Sequence, residues 1–186
     1  MIGAVEALRA CALEDRFAVA ISGGADSTAM LRAALETYGA RRTAAIHIDH
    51  GIRPDSAHDA AFCQQTAREL GVEFKTETLA LGPDASEQTA RIARYRALGR
   101  ICDALGIQTL LTAHHADDNL ENLILALMRG SGLVGLAGIR PRIPLAAISG
   151  LNDTNVLVVR PWLDLPRCEI DRYLAGKPHV EDPTNQ

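Results

Sequence analysis

Residues 22–27 are Ser-Gly-Gly-Ala-Asp-Ser, which combines the glycines of an anion-binding loop with an acidic side chain. The glycines permit positive φ angles and a close backbone approach, so that successive N–H groups can point at one anion. A helix is expected directly after the loop, and its N-terminus favours the same anion. Asp26 would repel bound phosphates unless a divalent cation lay between them, so the loop predicts Mg²⁺ held by Asp26 beside a polyphosphate. A tight strand-to-helix turn capped by Asp26 is the alternative explanation.

This loop differs from two common phosphate-binding motifs. It lacks the lysine before Ser or Thr that a Walker loop carries, which excludes an ordinary P-loop NTPase. It also lacks the Gly-x-Gly-x-x-Gly pattern of dinucleotide-binding folds. Without that lysine, the cation beside Asp26 is the expected source of positive charge.

Two acids lie three residues apart near the start of a helix expected from Asp117 to Arg129. Asp118 and Glu121 therefore share one helix face, and a pair of carboxylates is suited to bind an ammonium group. Acids in a first helical turn are also favoured by the helix dipole, which is the alternative explanation for Asp117 and Asp118. Glu121 lies one turn further along and is less easily explained in that way.

Histidines follow two of the expected strands. His114 and His115 are adjacent at a strand end, where their side chains point in opposite directions, so joint coordination of a metal is unfavourable. We expect contacts to a nucleotide or base, with one of these two histidines partly structural. Asp49 and His50 follow another strand, and a turn histidine without a ligand is an equal alternative for His50.

Four arginines lie on one expected helix, and they are Arg91, Arg94, Arg96 and Arg100. The first two share one helix face and the last two share another. A solvated charged face is the usual explanation of such a run, but arginines also stabilise charge on phosphate oxygens during adenylation. Arg129, directly before Gly-Ser-Gly, could contact RNA or balance the C-terminus of its helix.

Apolar strands alternate with helical patterns along the chain. The expected strands are 17–21, 42–49, 72–79, 108–114 and 156–160. The expected helices are 1–16, 27–39, 56–71, 86–105, 117–129 and 166–174. This alternation predicts a doubly wound, Rossmann-like α/β fold with a parallel sheet, in which ligands bind beyond the carboxyl ends of the strands. Residues 130–155 are expected to form a long loop, which is typical of lids and substrate contacts.

The composition, with 47% hydrophobic and 23% charged residues among 186, is that of one soluble globular domain. Apolar runs are shorter than the roughly 20 residues that a membrane-spanning helix needs. Four cysteines without a C-x-x-C pair contain neither a zinc-knuckle nor a redox motif, and they favour a cytoplasmic location. The net charge of −4 argues against a broad nucleic-acid-binding surface.

The loop at residues 22–27 resembles the S-G-G-x-D-S loop of the N-type ATP pyrophosphatases, which cleave ATP between its α and β phosphates and adenylate a substrate. Five further segments resemble, in order, those of the tRNA(Ile)-lysidine synthetase family. They are HIDHGIRPDS (47–56), SEQTARIARYRAL (86–98), TAHHADDNLENLILALMRGSGLVGLAGI (112–139), VVRPWLDLPRCEIDRYL (158–174) and EDPTN (181–185).

The resemblance implies one PP-loop ATP pyrophosphatase domain over residues 1–186, without the C-terminal tRNA-binding domains of that family. It implies a ligase that joins free L-lysine to the wobble cytidine of an isoleucine tRNA with a CAU anticodon. ATP would adenylate the C2 oxygen of the cytosine with release of pyrophosphate, and the amine of lysine would then displace AMP. The oligomeric state is left open, a homodimer included.

The same resemblance assigns roles to individual residues. The expected catalytic residues are Asp26, Arg91, Asp118 and Glu121. The expected ATP-binding residues are Ser22, Gly23, Gly24, Ala25, Asp26, Ser27, Asp49, His50 and His114. Asp118 and Glu121 are expected to hold lysine. Arg94 and Arg129 are expected to contact tRNA or phosphate, and Asp26 to bind Mg²⁺.

Three positions depart from the family pattern: Asn119 replaces Gln, Asn122 replaces Thr and Trp162 replaces Leu. A tRNA 2-thiolating enzyme of the same superfamily is the nearest rival interpretation. Such enzymes commonly carry C-x-x-C pairs, which this chain lacks. A nucleotide-binding module without catalysis is the rival from another functional class.

Overall fold

A computed structural model describes residues 3–49, 56–79, 81–82, 85–132 and 135–177. His50 and the segment 181–185, both singled out from the sequence, lie outside the described residues. Within the described ranges, no helix is both long and apolar enough to cross a membrane.

The chain alternates between strands and helices as expected. The strands are β1 (Phe17–Ala20), β2 (Thr43–Asp49), β3 (Glu73–Thr78), β4 (Thr109–Leu111), β5 (Arg142–Pro144) and β6 (Leu157–Val159). The helices are α1 (Ala4–Arg9), α2 (Ala25–Tyr38), α3 (Ser56–Glu69), α4 (Glu87–Ala104), α5 (Ala116–Met128), α6 (Ala146–Ser149) and α7 (Arg167–Leu174). Short 3₁₀ turns lie at Ala40–Arg42 and Gly135–Ala137.

The strands that the structure describes form one sheet in the order β3-β2-β1-β4-β6-β5. β1 lies inside the parallel part, where Val19 is opposite both Ala45 of β2 and Leu111 of β4. β3 pairs parallel with β2, and β6 pairs parallel with β4. The carboxyl ends of these strands therefore lie along one edge of the sheet, which confirms the predicted fold class.

The expectation of one long loop over residues 130–155 is wrong. The segment contains β5 and α6, and β5 pairs antiparallel with β6, with Ile143 opposite Val158. Arg96 of α4 holds α6 in place, because its Nε donates to the Ser149 carbonyl at 2.8 Å. Elements of three and four residues carry too little periodicity to be recognised, and they depend instead on pairing and packing with the rest of the fold.

Three helix ends lie at the expected residues, whereas α1 spans only Ala4–Arg9 of the helix expected over residues 1–16. Ser86 is the N-cap of α4, and its Oγ accepts a hydrogen bond from the Thr89 amide at 3.1 Å. Gly39 follows α2 with a φ of 79°, and Gly71 lies just after α3 with a φ of 66°. Both φ values lie in the region that glycine adopts most readily, so these residues end their helices.

Buried side chains form one core on each face of the sheet. On one face, Val19 and Leu111 pack with α1, α2, α3 and α7. On the other face, Ala18 and Leu110 pack with α4 and α6. This alternation follows from the two-residue period of a strand, and it continues along the extended backbone that follows β4. It therefore determines which side chains at the strand ends meet.

Trp162, which departs from the family pattern, anchors α1 to the rest of the domain. It is fully buried, and its Nε1 donates to the Ala4 carbonyl at 3.0 Å. A leucine at this position would fill less volume and could not donate that hydrogen bond. The departure is therefore explained by the docking of α1, not by a change in the site.

We predict that Trp162→Leu lowers the free energy of unfolding by about 2–4 kcal/mol, because it leaves a cavity and removes the donor to Ala4. Urea denaturation measures the change. Cys168→Ala on the exposed side of α7 is the control, with an expected change within about 0.5 kcal/mol. A loss below about 1 kcal/mol in Trp162→Leu would contradict the anchoring role.

Candidate active site

The loop at residues 22–27 joins β1 to α2 at the carboxyl edge of the sheet. Gly23 has a φ of 92°, a conformation that favours glycine. Ser27 Oγ accepts from the Ser22 amide and donates to the Gly24 carbonyl, each at 3.1 Å, which closes the loop on itself. Among the described residues no side chain caps the N-terminus of α2. Its first-turn amides are therefore oriented as in an anion-binding turn.

Asp26 lies in the first turn of α2, and its two carboxylate oxygens have different surroundings. Its Oδ2 lies 3.6 Å from His115 Nε2, whereas its buried Oδ1 has no hydrogen-bond partner among the described residues. A buried anionic oxygen without a partner is unfavourable, and a carboxylate is a ligand that Mg²⁺ prefers. The described residues contain no group of three or more His, Cys, Asp and Glu side chains that could hold a metal. The Asp26 carboxylate would therefore fit a Mg²⁺ ion whose remaining ligands come mostly from outside these side chains.

His115 connects this loop to α5. It is 4% exposed and is the N-cap of α5, where its Nδ1 accepts from the Asp118 amide at 3.4 Å. The Asp118 carboxylate accepts in return from the His115 amide at 2.9 Å, which completes a capping box. His115 Nε2 lies 3.6 Å from Asp118 Oδ2, the same distance as from Asp26. One buried imidazole thus brings two of the expected catalytic carboxylates together.

The surroundings of His115 raise its pKa above the ordinary value. Burial alone would lower this pKa, but the nearby carboxylates of Asp26, Asp118 and Asp117 favour the protonated imidazole and together outweigh burial. The protonated imidazole is attracted to both Asp26 and Asp118, which offsets the repulsion between these two carboxylates.

His114 lies on the opposite face from its neighbour, as the alternation predicts. Its Nδ1 is 3.0 Å from Thr112 Oγ1, which also lies two residues away on the same face. Burial and the positive charge of three arginines lower the pKa of His114 to about 3. Those arginines are Arg160, Arg91 and Arg94. His114 is therefore neutral near pH 7 and lies within a cluster of positive charge.

Arg91 and Arg94 share one face of α4, as expected. Their guanidinium carbons lie 5.4 Å and 5.6 Å from the centroid of the buried Tyr95 ring, at distances typical of cation–π contacts. Burial, and to a lesser extent the charge of Arg91, lowers the pKa of Arg94. Arg96 and Arg100 are exposed elsewhere on the helix, in agreement with their expected surface position.

Arg160 is a basic residue of the site that the sequence interpretation did not single out. It directly follows β6 and is 4% exposed, and its Nη1 donates to the Arg140 carbonyl at 2.7 Å. The signal was present in the sequence, because Arg160 ends the last expected strand and therefore lies at the ligand-binding edge.

Three other expected residues lie at the end of β2 and along α5. Glu121 is exposed one turn beyond Asp118, and no hydrogen bond or ion pair connects its side chain to another described residue. Asp49 ends β2, and its carbonyl accepts from the Leu79 amide at 2.7 Å. Arg129 is the exposed C-cap of α5, where a positive charge is favourable. Their roles stay predictions.

Asn119, another departure from the family pattern, holds the segment before β5 against α5. Its Oδ1 accepts from the Ile139 amide at 2.7 Å. A Cβ at Gly138 would lie 2.6 Å from that oxygen, so the contact requires glycine. On the other side, the Arg160 amide donates to the Pro141 carbonyl at 2.8 Å. The segment is therefore fixed between α5 and the end of β6.

A mostly parallel α/β sheet whose first strand ends in an acidic phosphate loop defines the class of this domain. The chain matches the family of PP-loop domains over residues 4–186, and it belongs to that family. Membership implies that the chain uses ATP.

Relatives within this class are named tRNA(Ile)-lysidine synthase. The protein of Ralstonia nicotianae is 40% identical over 177 residues, which cover 90% of this chain and 36% of the relative. The protein of Zymomonas mobilis is 32% identical over 186 residues, which cover 98% of this chain and 55% of the relative. The chain therefore spans between about a third and a half of the length of these curated relatives.

Solved structures share the fold at low sequence identity. The U34-tRNA thiolase NcsA from Methanococcus maripaludis has a TM-score of 0.73 and 19% identity, covering 98% of this chain and 67% of that one. A phosphoadenylyl-sulfate reductase from Candida auris has a TM-score of 0.59 and 11% identity, covering 95% of this chain and 81% of that one. These likenesses support the architecture alone.

We predict that the pKa values of the two adjacent histidines are shifted in opposite directions in the metal-free protein. His115 should titrate above pH 6.5, so its charge stabilises the fold fully below that pH and the contribution is lost as pH rises through its folded pKa. His114 should stay neutral until about pH 3, so stability is lost as the pH falls below 6.5.

NMR titration of the imidazole resonances, assigned with His114→Gln and His115→Gln, measures both pKa values. Urea denaturation of the same variants across this pH range measures the matching changes in stability. Two histidines that both titrate near pH 6.5 would show that the charge clusters do not act on them as described.

Proposed function

We propose that this chain is the catalytic domain of a tRNA(Ile)-lysidine synthase. It joins free L-lysine to the wobble cytidine of an isoleucine tRNA with a CAU anticodon. The C2 oxygen of the cytosine attacks the α-phosphate of ATP and releases pyrophosphate. The ε-amine of lysine then attacks C2, and AMP leaves with that oxygen. The similarity to relatives of this name supports the choice of substrates.

The observation that carries the proposal is the division of the site into an acidic and a basic side. Asp26 and Asp118 meet at His115, whereas Arg91 and Arg94 lie near His114. Adenylation needs positive charge beside phosphate, and an amine substrate needs carboxylates to bind it. A site for both half-reactions therefore requires both kinds of charge at one edge of the sheet.

In the first half-reaction, the loop amides and the arginines bind different phosphates of ATP. The amides of residues 22–27 hold the β and γ phosphates at the N-terminus of α2. Arg91 stabilises the charge that develops on the α-phosphate oxygens. A Mg²⁺ ion bound at Asp26 would offset the charge of the departing pyrophosphate. Arg94 supports Arg91 from the same helix face.

In the second half-reaction, lysine binds through its ammonium charge to Asp118 and Glu121. Asp118 is fixed by the capping box with His115, so its carboxylate has a defined position. Glu121 lies on the same helix face and is exposed to the incoming substrate. The two acids orient free lysine so that its ε-amine approaches the activated cytosine.

The cysteines support ligation over thiolation. Burial, and to a lesser extent the charge of a nearby aspartate, raises the pKa of Cys63 and of Cys102 to about 12. Both thiols are therefore protonated at neutral pH and unsuited to nucleophilic sulfur chemistry. The described cysteines also belong to no group that could hold a metal ion.

Incubation with ATP, Mg²⁺, labelled lysine and a CAU-anticodon isoleucine tRNA transcript tests the proposal. We expect tRNA-dependent release of AMP and pyrophosphate, with labelled lysine entering the tRNA. A transcript with uridine at the wobble position is the control. In Asp26→Asn, pyrophosphate release should fall by about 100-fold or more while ATP binding persists. Labelling of both transcripts, or full activity in Asp26→Asn, would contradict the proposal.

We predict that Glu121→Gln raises the KM for lysine by about 10- to 100-fold, because a charged hydrogen bond to the substrate is lost. Stability should change by no more than about 0.5 kcal/mol, since Glu121 is exposed. Asp117→Asn removes the same charge from the same helix and should leave this KM nearly unchanged. Lysine-dependence of the initial rate measures both variants, and equal KM values would remove Glu121 from the lysine site.

A further inference from the structure

The basic side of the site contains a buried guanidinium without a counter-ion among the described residues. Arg160 is 4% exposed, and its side chain makes one hydrogen bond to the described residues, from Nη1 to the Arg140 carbonyl at 2.7 Å. Its Nε is buried without a partner in the part of the chain that the structure describes. Arginine stays charged in proteins, and a buried charge that lacks an opposite charge is unfavourable. The dipole of one carbonyl compensates only part of the unfavourable free energy of burying this charge.

Arg160 lies on the face of the sheet that carries the other arginines. Val158 packs in the same core as Tyr95 of α4, and Arg160 follows two residues later on the same side of the strand. Among the three arginines that act on His114, Arg160 has the largest effect, followed by Arg91 and Arg94. Three positive charges therefore converge near one neutral imidazole.

The guanidinium is held by backbone groups on a fixed segment. The Arg160 amide donates to the Pro141 carbonyl at 2.8 Å, and the residue before Pro141 supplies the carbonyl that accepts from Nη1. That segment is tied in turn to α5 through the hydrogen bond between Asn119 and Ile139. Arg160 is therefore positioned before any ligand arrives, which lowers the entropic cost of binding.

We propose that Arg160 binds a phosphate group at the site together with Arg91 and Arg94. A phosphate offers three or more acceptor oxygens and enough negative charge for several guanidiniums, whereas a carboxylate offers two oxygens and one charge. The phosphate is the α-phosphate of ATP, retained in AMP, or a backbone phosphate of bound RNA. This inference rests on the proposed function, in which both groups enter the site.

Affinities of Arg160→Met and Arg160→Lys for AMP, for Mg²⁺-pyrophosphate and for a CAU anticodon stem-loop RNA test the inference. Calorimetric titration at one fixed salt concentration gives each Kd. Arg142→Met, which removes a charge from an exposed residue of β5, is the matched control. We expect Arg160→Met to weaken AMP binding at least tenfold with pyrophosphate binding unchanged, and Arg160→Lys to weaken it less.

The pattern of loss identifies the source of the phosphate. Selective loss of AMP affinity supports the α-phosphate, and selective loss of RNA affinity supports a backbone phosphate. Unchanged affinity for both, or an equal loss for all three ligands, would overturn the inference and leave Arg160 as a structural tie to the Arg140 carbonyl. If Arg160→Met does not fold, the losses of affinity of Arg160→Lys for the same three ligands are compared instead.

Failure of the proposed function gives a different result. Wild-type protein that binds neither Mg²⁺-ATP nor AMP would overturn the proposed function and this inference together. Wild-type protein that binds Mg²⁺-ATP, combined with unchanged AMP and RNA affinities in both Arg160 variants, would overturn only the role of Arg160.

Discussion

The alternation of side chains along an extended strand is the constraint on which the site depends. Two adjacent histidines follow β4, and the two-residue period sends them to opposite faces of the sheet. His115 meets Asp26 and Asp118, each at 3.6 Å, whereas His114 lies among arginines that keep it neutral. A shift of one residue in this segment would exchange the two imidazoles and place each of them beside the wrong charges.

This separation gives the site an electrostatic polarity before any substrate binds. The acidic side holds carboxylates close together, with one buried oxygen of Asp26 unpaired among the described residues. The basic side holds Arg91, Arg94 and Arg160, whose charges lower the pKa of His114. Like charges held together repel each other, and cation, phosphate and amine ligands would relieve that repulsion. Such preorganised charge is also what stabilises charge that develops during a reaction.

The sequence predicted the parts of the fold that repeat a period or a known turn. Buried strands, capped helices and the acidic loop were recognisable because their signals are local. β5 and α6 were not, because three or four residues form an element only when β6 and α4 supply pairing and packing. A structural role for His115 was only partly expected, since its contact with Asp26 depends on the distance between α2 and α5. Arg160 required the strand order, which places β6 beside β4.

The position of the arginines also reconciles the proposed action on RNA with a net charge of −4. Affinity for nucleic acid from broad phosphate neutralisation needs many exposed cations, and it weakens steeply with salt. Here Arg94 and Arg160 are largely removed from solvent and lie near His114, at the ligand-binding edge of the sheet. Buried charges are screened less by salt than exposed ones. In the proposed function they would therefore act on one phosphate at a fixed position, and would favour the chemistry there without a strong general attraction to RNA.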